Sequence, residues 1–303
     1  MKQRLPPWIK IRLNSEGKFA LVQSALKEQN LHTVCESAHC PNRQECFQRG
    51  TATLMILGNI CTRNCRFCAV QSGTPEKVDH DEPRRAAELV KKLNLRHAVI
   101  TSVTRDDLPD GGASIFAETV SAIRTATQNP CLGGAFGEAR GGTTIEVLTP
   151  DFNGLESAIS IVLASAPDVF NHNLETVEHL QKQVRPQASY LRSLAVLKYA
   201  VTSGKARVVK SGLMAGMGES DDDLYEAMRD LLKVGCRHLT IGQYLAPSKR
   251  HWPVQRFVPP EMFEEYRRQG LAMGFKEIAS APLVRSSYLA ENFFQKAAAP
   301  GTP

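Results

Sequence analysis

The sequence predicts an α/β fold built on an open, curved parallel sheet, a partial (βα)6 barrel with N-terminal and C-terminal extensions over its open end. From residue 53 onward, short runs rich in β-branched residues alternate with segments of helical periodicity, the pattern of repeated βα units. Only six such strands are found, too few for an eight-unit closed barrel. The flanking segments lack this alternation, so we expect both to be irregular.

The predicted elements alternate along the chain in the order that a parallel sheet requires. Each strand is a short apolar run, at 53–57, 97–103, 144–148, 168–171, 206–214 and 237–241. Helices fill the intervals, including 84–93, 113–125, 190–201, 222–234 and 260–273. Ser220 provides an N-cap for the helix at 222–234, and acidic residues occupy its first turn.

The chain divides into three segments on this reading. Residues 1–52 form an N-terminal extension, 53–281 the partial barrel and 282–303 a C-terminal segment that ends in a disordered tail from residue 297. A glycine-rich stretch at 127–142 is predicted to be a surface insertion, and Cys131 within it a bystander. The alternative for Cys131 is a fourth ligand to a metal cluster.

Composition excludes several classes of protein. The 303 residues are 42% apolar and carry a net charge of +6 spread along the chain, which is typical of a solvated basic surface, with an acidic partner as the alternative. We find no secretory signal, no apolar run near 18 residues and no nucleic-acid motif. We therefore expect a cytoplasmic protein that binds neither nucleic acid nor membrane.

Six of the eight cysteines lie in two triplets with short spacings. In a reducing compartment, clustered thiols favour metal or redox chemistry over disulfides. Three thiolates can hold three irons of a [4Fe–4S] cluster and leave the fourth iron open. A zinc knuckle is the alternative, but it needs paired cysteines that supply four ligands. The triplets are Cys35-x4-Cys40-x5-Cys46 and Cys61-x3-Cys65-x2-Cys68.

The second triplet resembles the cluster loop of the radical S-adenosylmethionine (SAM) enzymes. This resemblance implies that a cluster on Cys61, Cys65 and Cys68 binds the methionine part of SAM and cleaves it to a 5′-deoxyadenosyl radical. The loop directly follows the first predicted strand. Ligands of parallel sheets bind at the carboxyl ends of strands, so its position agrees with this role.

Other residues are interpreted as SAM contacts. The segment 212–219 resembles the adenine-side motif G-x-I-x-G-x-x-E of the family, with Met214 at the apolar position. Polar residues at or just beyond three strand ends could meet the amino group, ribose and carboxylate of SAM, or could instead satisfy loop backbone. The predicted contacts are Phe67, Asp107, Glu146, Asn171, Lys210, Gly212 and Gly216, with Asp106 as a further candidate and His172 in a supporting hydrogen-bonding role.

Over residues 5–291 the chain more narrowly resembles the lipoyl synthases. The combination of both cysteine triplets with a late Arg-Ser-Ser-Tyr sequence is specific to that family. The glycine-rich insertion departs from the family pattern. Supporting motifs are 105–112 (RDDLPDGG), 146–152 (EVLTPDF), 171–177 (NHNLETV), 210–214 (KSGLM) and 285–288 (RSSY).

The resemblance implies a sulfur-inserting reaction. Cys35, Cys40 and Cys46, together with Ser287 rather than Ser286, would hold an auxiliary [4Fe–4S] cluster that is consumed as the sulfur source. Two radicals in succession would open C6 and C8 of an octanoyl chain attached to a carrier-protein lysine, giving the lipoyl cofactor. An unactivated C–H bond has no acidic proton, so radical rather than general-base chemistry is required. A serine oxygen binds iron less well than thiolate does, which provides a release point.

The implied cofactors are two [4Fe–4S] clusters and SAM. The implied partners are octanoylated lipoyl domains and the glycine cleavage H protein, an electron donor such as ferredoxin or flavodoxin, and iron–sulfur cluster carrier proteins. Arg285 could contact SAM or the carrier, and Tyr244 and Trp252 could line a tunnel for the octanoyl chain. A salt bridge and core packing are the respective alternatives.

Two other classes remain open at this point. A methylthiotransferase acting on tRNA also has two clusters, but the chain shows no additional RNA-binding domain. A two-cluster electron carrier or a structural zinc protein would need neither a barrel nor adenine-side glycines. The ratio of zinc to iron and sulfide distinguishes these classes.

Overall fold

The computed structural model describes residues 5–10, 18–49, 51–127 and 142–298. Most of the glycine-rich insertion, including Cys131, and the last part of the predicted tail, 299–303, lie outside the described residues.

Ten strands are present in the part of the chain that the structure describes. Eight form one sheet in the order β1-β2-β5-β6-β7-β8-β9-β10, and β3 pairs with β4 in a separate two-stranded sheet. The strands are β1 His32–Thr33, β2 Thr53–Ile56, β3 Ile60–Cys61, β4 Gln71–Ser72, β5 His97–Ser102, β6 Thr144–Leu148, β7 Val169–Asn171, β8 Val208–Ala215, β9 His238–Gln243 and β10 Glu277–Ser280.

Helices connect the parallel strands and cover the outer face of the sheet. A short 3-10 turn, Phe152–Gly154, follows β6. The α-helices are α1 Phe19–Glu28, α2 Val34–Ser37, α3 Arg43–Gln48, α4 Glu82–Lys92, α5 Ala113–Ala126, α6 Glu156–Ala164, α7 Glu178–Val184, α8 Tyr190–Ser203, α9 Asp221–Lys233, α10 Pro260–Met273 and α11 Ala290–Ala298. None of the described helices is long and apolar enough to cross a membrane.

The six predicted strands are confirmed, each within two residues of its expected bounds, and neighbouring members of this set pair in parallel. They form because each is buried on both faces, as the continuous burial of β2 and β9 shows. The predicted capping of α9 is also confirmed, since Ser220 and Asp223 form a reciprocal capping box. The alternation of strands and helices therefore determines the barrel.

The sheet carries two edge strands that the sequence did not predict. β1 pairs antiparallel with β2, and β10 pairs parallel with β9. β1 is only two residues long, too short for a periodic signal. β10 is half-buried at the edge of the sheet, so it lacks the apolar run that marks the inner strands.

The prediction that both extensions are irregular is wrong. The N-terminal extension contains α1, α2 and α3, and the C-terminal segment contains α11. Ala297 and Ala298, expected in a disordered tail, belong to α11. Helices this short depend on tertiary packing, which a local sequence pattern does not report.

Helix α11 covers the amino end of the barrel. The ring of Phe294 stacks on His97 at 5.8 Å, and Phe293 lies edge-on to His238 at 6.5 Å. These histidines are the first residues of β5 and β9. α11 therefore closes the end of the lumen opposite the strand ends where ligands of parallel sheets bind.

Candidate active site

The second cysteine triplet lies in the loop that follows β2. Cys61 is the last residue of β3, and Cys65 and Cys68 follow on a turn in which the Cys68 amide donates to the Cys65 carbonyl at 3.0 Å. The Cys61 sulfur accepts hydrogen bonds from the backbone amides of Arg63, at 3.4 Å, and Thr104, at 3.3 Å. These two amides fix the position of the Cys61 sulfur within the loop.

Arg63, inside the triplet, anchors this loop to the ends of two strands. Its side chain is 3% exposed, and its guanidinium donates to Asp106 at 2.7 and 2.8 Å and to Asp151 at 2.7 Å. Arg192 contacts the other Asp151 oxygen at 3.2 Å. Burial raises the pKa of Asp151, but Arg63 outweighs burial and lowers it to about 2. This role was not predicted, although the position of Arg63 between Cys61 and Cys65 was a visible signal.

A segment after β9 packs on the outer side of the same loop. His251 contacts the Cys68 carbonyl through Nε2 at 3.1 Å, and the Trp252 amide donates to the Arg66 carbonyl at 2.7 Å. The Arg66 guanidinium lies over the Trp252 ring at 4.7 Å. Tyr244 is buried and donates to the Trp252 carbonyl at 2.6 Å. The tunnel role of Tyr244 and Trp252 stays a prediction.

Charged residues that the sequence analysis did not select surround Cys65. Burial raises the pKa of Cys65, and Arg185 partly offsets that shift through its charge and a hydrogen bond. Arg185 is itself buried and donates to the Leu174 carbonyl at 3.1 Å. Burial also raises the pKa of Cys68 to about 12 and that of Glu175 above its usual range. For Cys65 the effect of burial on the pKa is larger than that of Arg185, so both thiols favour the protonated form.

The first cysteine triplet lines a cavity of about 80 Å³. Cys35 lies on α2, whose N-cap Thr33 accepts from the Glu36 amide, and Cys46 lies on α3. Cys40 is on the connection between these helices and lines the same cavity, as does Ser287. Burial raises the pKa of Cys35 to about 11 and that of Cys46 to about 12.

The C-terminal segment is bound to the helices that carry the first triplet. The Tyr288 hydroxyl donates to Glu45 at 3.0 Å, and the Asn42 side chain donates to the Leu283 carbonyl at 2.7 Å. Arg285 is close enough to Cys40 and to Glu175 for electrostatic interaction with both. The structure thus brings Ser287 to the first triplet from 241 residues beyond Cys46 (287 − 46).

Three predicted SAM contacts lie near the carboxyl ends of strands, and a fourth, Gly212, lies within β8. Asp107 is paired with Arg105 at 2.8 Å, which lowers its pKa. Phe67 is half-buried against the core. Gly216 has a φ of +100°. Its amide donates to Glu219 at 2.6 Å, so the glutamate of the adenine-side motif holds the turn closed. Gly212 is the fourth residue, and the space beside its Cα holds the Ser286 hydroxyl.

The other three predicted contacts form a buried network inside the lumen. Lys210 is fully buried and lies 2.7 Å from Glu146, which also accepts from Asn171 at 2.9 Å. Burial raises the pKa of Glu146, but the Lys210 charge outweighs it, and the net shift is downward. Their contact with SAM stays a prediction. His172, expected in a supporting role, bonds the Thr149 carbonyl at 2.9 Å and Ser193 at 3.0 Å.

These arrangements fit two iron–sulfur clusters. Each triplet gathers soft thiol donors in one place, and the first gathers a hydroxyl as well. No three His, Cys, Asp or Glu side chains within the described ranges converge closely enough for a single metal ion. The thiolates of a [4Fe–4S] cube bind separate irons, so a wider spacing is compatible with a cluster. Cys236 is buried outside both triplets.

Comparison with known families gives two matches. Residues 55–231 match the radical SAM superfamily. Residues 1–40 match the N-terminal domain of lipoyl synthase of the radical SAM family. The first match covers the second triplet and the barrel as far as α9, and the second match reaches Cys40.

Curated relatives match nearly the whole chain. A lipoyl synthase of Caldanaerobacter subterraneus subsp. tengcongensis is 50% identical over 291 residues, covering 96% of this chain and 97% of the relative. A lipoyl synthase of Geotalea uraniireducens is 49% identical over 293 residues, covering 97% and 98%. One from Rubrobacter xylanophilus is 50% identical over 283 residues, covering 93% and 84%.

Solved structures support the fold. SuiB of Streptococcus suis bound to S-adenosylmethionine aligns with a TM-score of 0.55 at 12% identity, covering 87% of this chain. This chain spans about half, 54%, of the SuiB chain. Methylornithine synthase PylB aligns with a TM-score of 0.53 at 12% identity, covering 95% of this chain and 77% of PylB. At these identities the likeness concerns the fold alone.

Proposed function

The chain belongs to the lipoyl synthase family of the radical SAM superfamily, and from this premise we propose how its residues divide the reaction between two cluster sites. The enzyme is a radical SAM protein with a sulfur-inserting role. The observation that carries the proposal is that Cys35, Cys40, Cys46 and Ser287 line one cavity, although the serine is far from the cysteines in sequence.

Cys61, Cys65 and Cys68 hold the SAM-binding [4Fe–4S] cluster. When bound, the cluster and SAM supply a 5′-deoxyadenosyl radical for abstraction of hydrogen. Arg63 keeps the loop in place through Asp106 and Asp151. Seven residues are retained as proposed SAM-side residues, of which Asp107 and Phe67 are the most accessible. The seven are Phe67, Asp107, Gly212, Gly216, Glu146, Asn171 and Lys210.

Cys35, Cys40, Cys46 and Ser287 hold the auxiliary [4Fe–4S] cluster. When bound, this cluster supplies the sulfur atoms for C6 and C8 of the octanoyl chain. Cys35 is buried and Cys46 is half-buried, which limits access of water to the site, and Arg285 places a positive charge near Cys40. Ser287 supplies a hard oxygen ligand, the weakest of the four on soft iron.

The substrate of this proposal is an octanoyl group on a lysine of a lipoyl-carrier protein, such as a lipoyl domain or the glycine cleavage H protein. Ferredoxin or flavodoxin supplies electrons, and iron–sulfur carrier proteins restore the auxiliary cluster. We place the reaction in the cytoplasm, where thiols stay reduced. Residues 1–52 and 282–303 then act together as the auxiliary-cluster unit on the 53–281 barrel.

The test is one anaerobic reaction of the reconstituted chain with SAM, dithionite and an octanoyl-lysyl peptide, read by mass spectrometry. We expect the peptide to gain two sulfurs, with about two deoxyadenosines per product because each C–H bond consumes one radical. Deoxyadenosine with an unchanged peptide would contradict the substrate assignment. Absence of deoxyadenosine from protein that carries both clusters would contradict the enzyme assignment.

Variants separate the two sites. Cys65→Ala should abolish deoxyadenosine formation, whereas Ser287→Ala should retain it and lose lipoyl formation. Cys236→Ala is the control, because Cys236 is a cysteine that lies outside both triplets. Normal lipoyl formation by Ser287→Ala would remove Ser287 from the ligand set.

A further inference from the structure

The C-terminal segment crosses the lumen through a slot formed by two glycines on neighbouring strands. A Cβ atom on Gly212 of β8 would lie 2.8 Å from the Ser286 hydroxyl and 2.7 Å from Asn173 Oδ1. A Cβ atom on Gly242 of β9 would overlap the Val284 carbonyl oxygen. Neither glycine has a positive φ, so space and not backbone freedom explains both.

Ser286 is bound from two directions within this slot. Its hydroxyl donates to Asn173 Oδ1 at 2.9 Å, and its carbonyl accepts from Lys210 Nζ at 2.9 Å. Ser287, the next residue, lines the cavity of the first cysteine triplet. Ser286 therefore contacts the barrel wall, whereas Ser287 lines the cavity of the first triplet.

Lys210 is held rigidly beneath Ser286. It is fully buried, it pairs with Glu146 at 2.7 Å, and its ammonium group lies 4.9 Å from the centre of the Phe293 ring. Glu146 is fixed in turn by Asn171 at 2.9 Å and by His97 at 3.5 Å. A buried ion pair is weak evidence for stability, because apolar side chains of similar volume often serve as well. Here the ion pair orients the Lys210 ammonium group toward the Ser286 carbonyl.

We propose that Ser286 is an anchor and Lys210 a positioning residue, which together place Ser287 over Cys35, Cys40 and Cys46. Glu146 acts through Lys210. This inference rests on the proposed function, since it concerns the ligand geometry of the auxiliary cluster. It assigns Lys210 and Glu146 a role in sulfur donation that differs from contact with SAM.

The test uses the full chain with Cys61, Cys65 and Cys68 replaced by alanine, so that only the auxiliary cluster is loaded. The variant Lys210→Met/Glu146→Gln removes the donor without leaving an unpaired buried charge. We expect a chelator to remove iron about tenfold faster, since loss of a group that orients a ligand weakens metal sites by that order. The Mössbauer signal of the serine-bound iron should change as it does in Ser287→Ala.

Ser286→Ala should lose iron faster than the parent but more slowly than the Lys210 variant, because the bond to Asn173 is lost while Lys210 still holds the carbonyl. The matched control is Lys92→Met/Glu28→Gln, which removes an exposed lysine–glutamate pair. Parental iron loss and spectrum in the Lys210 variant would overturn the inference. A second measurement uses the same Lys210 variant with Cys61, Cys65 and Cys68 restored. Loss of SAM cleavage with an unaltered auxiliary cluster in that variant would also overturn the inference.

Hydrogen exchange of the cluster-free chain provides a second readout. Amides of residues 284–289 should exchange about tenfold faster in the Lys210 variant, because the segment opens more often once Lys210 no longer holds it. If the double variant does not fold, Asn173→Ala serves instead, and unchanged exchange there overturns the inference. Failure of the proposed function would appear separately, as a parent that holds no iron on the first triplet.

Discussion

The Tyr288 hydroxyl donates a 3.0 Å hydrogen bond to Glu45, a residue 243 positions earlier in the chain. Glu45 lies on α3 beside Cys46, and Tyr288 directly follows Ser287. This bond therefore joins the two segments that line the cavity of the first triplet, next to a proposed cluster ligand on each side.

Tyr288→Phe should lower the free energy of unfolding of the cluster-free chain by about 1 kcal/mol, the usual contribution of one partly buried hydrogen bond. It should also increase iron loss from the first triplet, since Glu45 and Cys46 share a helix. Urea unfolding and a chelator assay measure these effects. Tyr225→Phe is the control, because the Tyr225 hydroxyl has no hydrogen-bond partner among the residues described. Equal shifts in both variants would show that the bond is unimportant.

Arg63→Lys should destabilise the SAM-cluster loop by about 3 kcal/mol, because a lysine cannot hold Asp106 and Asp151 together and leaves a buried carboxylate poorly paired. Iron content at the second triplet and deoxyadenosine formation should fall with it. Arg84→Lys is the matched control, since Arg84 also bridges two carboxylates, Asp81 and Glu88, but on the exposed surface. A loop that loads iron normally in the Arg63 variant would refute the anchoring role.

Acid should destabilise the cluster-free chain through two buried histidines. Burial lowers the pKa of His172 and of His238 to about 4, while an unfolded histidine titrates near pH 6.5. Between these values the unfolded state binds more protons, so stability falls as pH decreases from about 6.5 to 4. Each histidine contributes about 3 kcal/mol over that interval. Unfolding midpoints across pH should show a smaller slope for His172→Gln, and an unchanged slope would exclude its contribution.

Gly212→Ala should displace the C-terminal segment, because the added methyl group would lie within 3 Å of Ser286, Asn173 and Thr240. We expect loss of auxiliary iron with retained SAM cleavage, measured by iron analysis and deoxyadenosine release. In the control Gly73→Ala, the nearest atom to the new Cβ is a methyl group of Ile60 at 3.4 Å, an ordinary contact. If Gly212→Ala keeps its auxiliary iron but needs a higher SAM concentration for cleavage, the result would instead favour the predicted contact of Gly212 with SAM.

The barrel could be predicted from the sequence because its signals are local. A strand such as Val208–Ala215 is a single buried run, and the triplet at Cys61, Cys65 and Cys68 is read from spacing alone. The edge strand Glu277–Ser280 and the helix Ala290–Ala298 were missed because their stability comes from distant partners.

The residues that hold the proposed ligands in place could not be predicted, because their partners are also distant in sequence. Arg63 and Asp151 are 88 residues apart, and Lys210 and Ser286 are 76 apart. A motif identifies a ligand by its type and spacing, but the residue that aims the ligand is known only when the chain is folded. Glu146, Asn171 and Lys210 were selected as polar groups near strand ends, and the contacts that they make with one another were not foreseen.

Ser287 follows the first cysteine triplet by about 240 residues. The ribosome therefore makes the three cysteines proposed as ligands of the auxiliary cluster long before it makes the serine. The serine exists only after every strand of the barrel has been synthesised. The cavity is therefore completed only after the barrel strands have been made, so the auxiliary cluster that we propose as the sulfur donor would gain its fourth ligand only in a chain whose barrel has been synthesised.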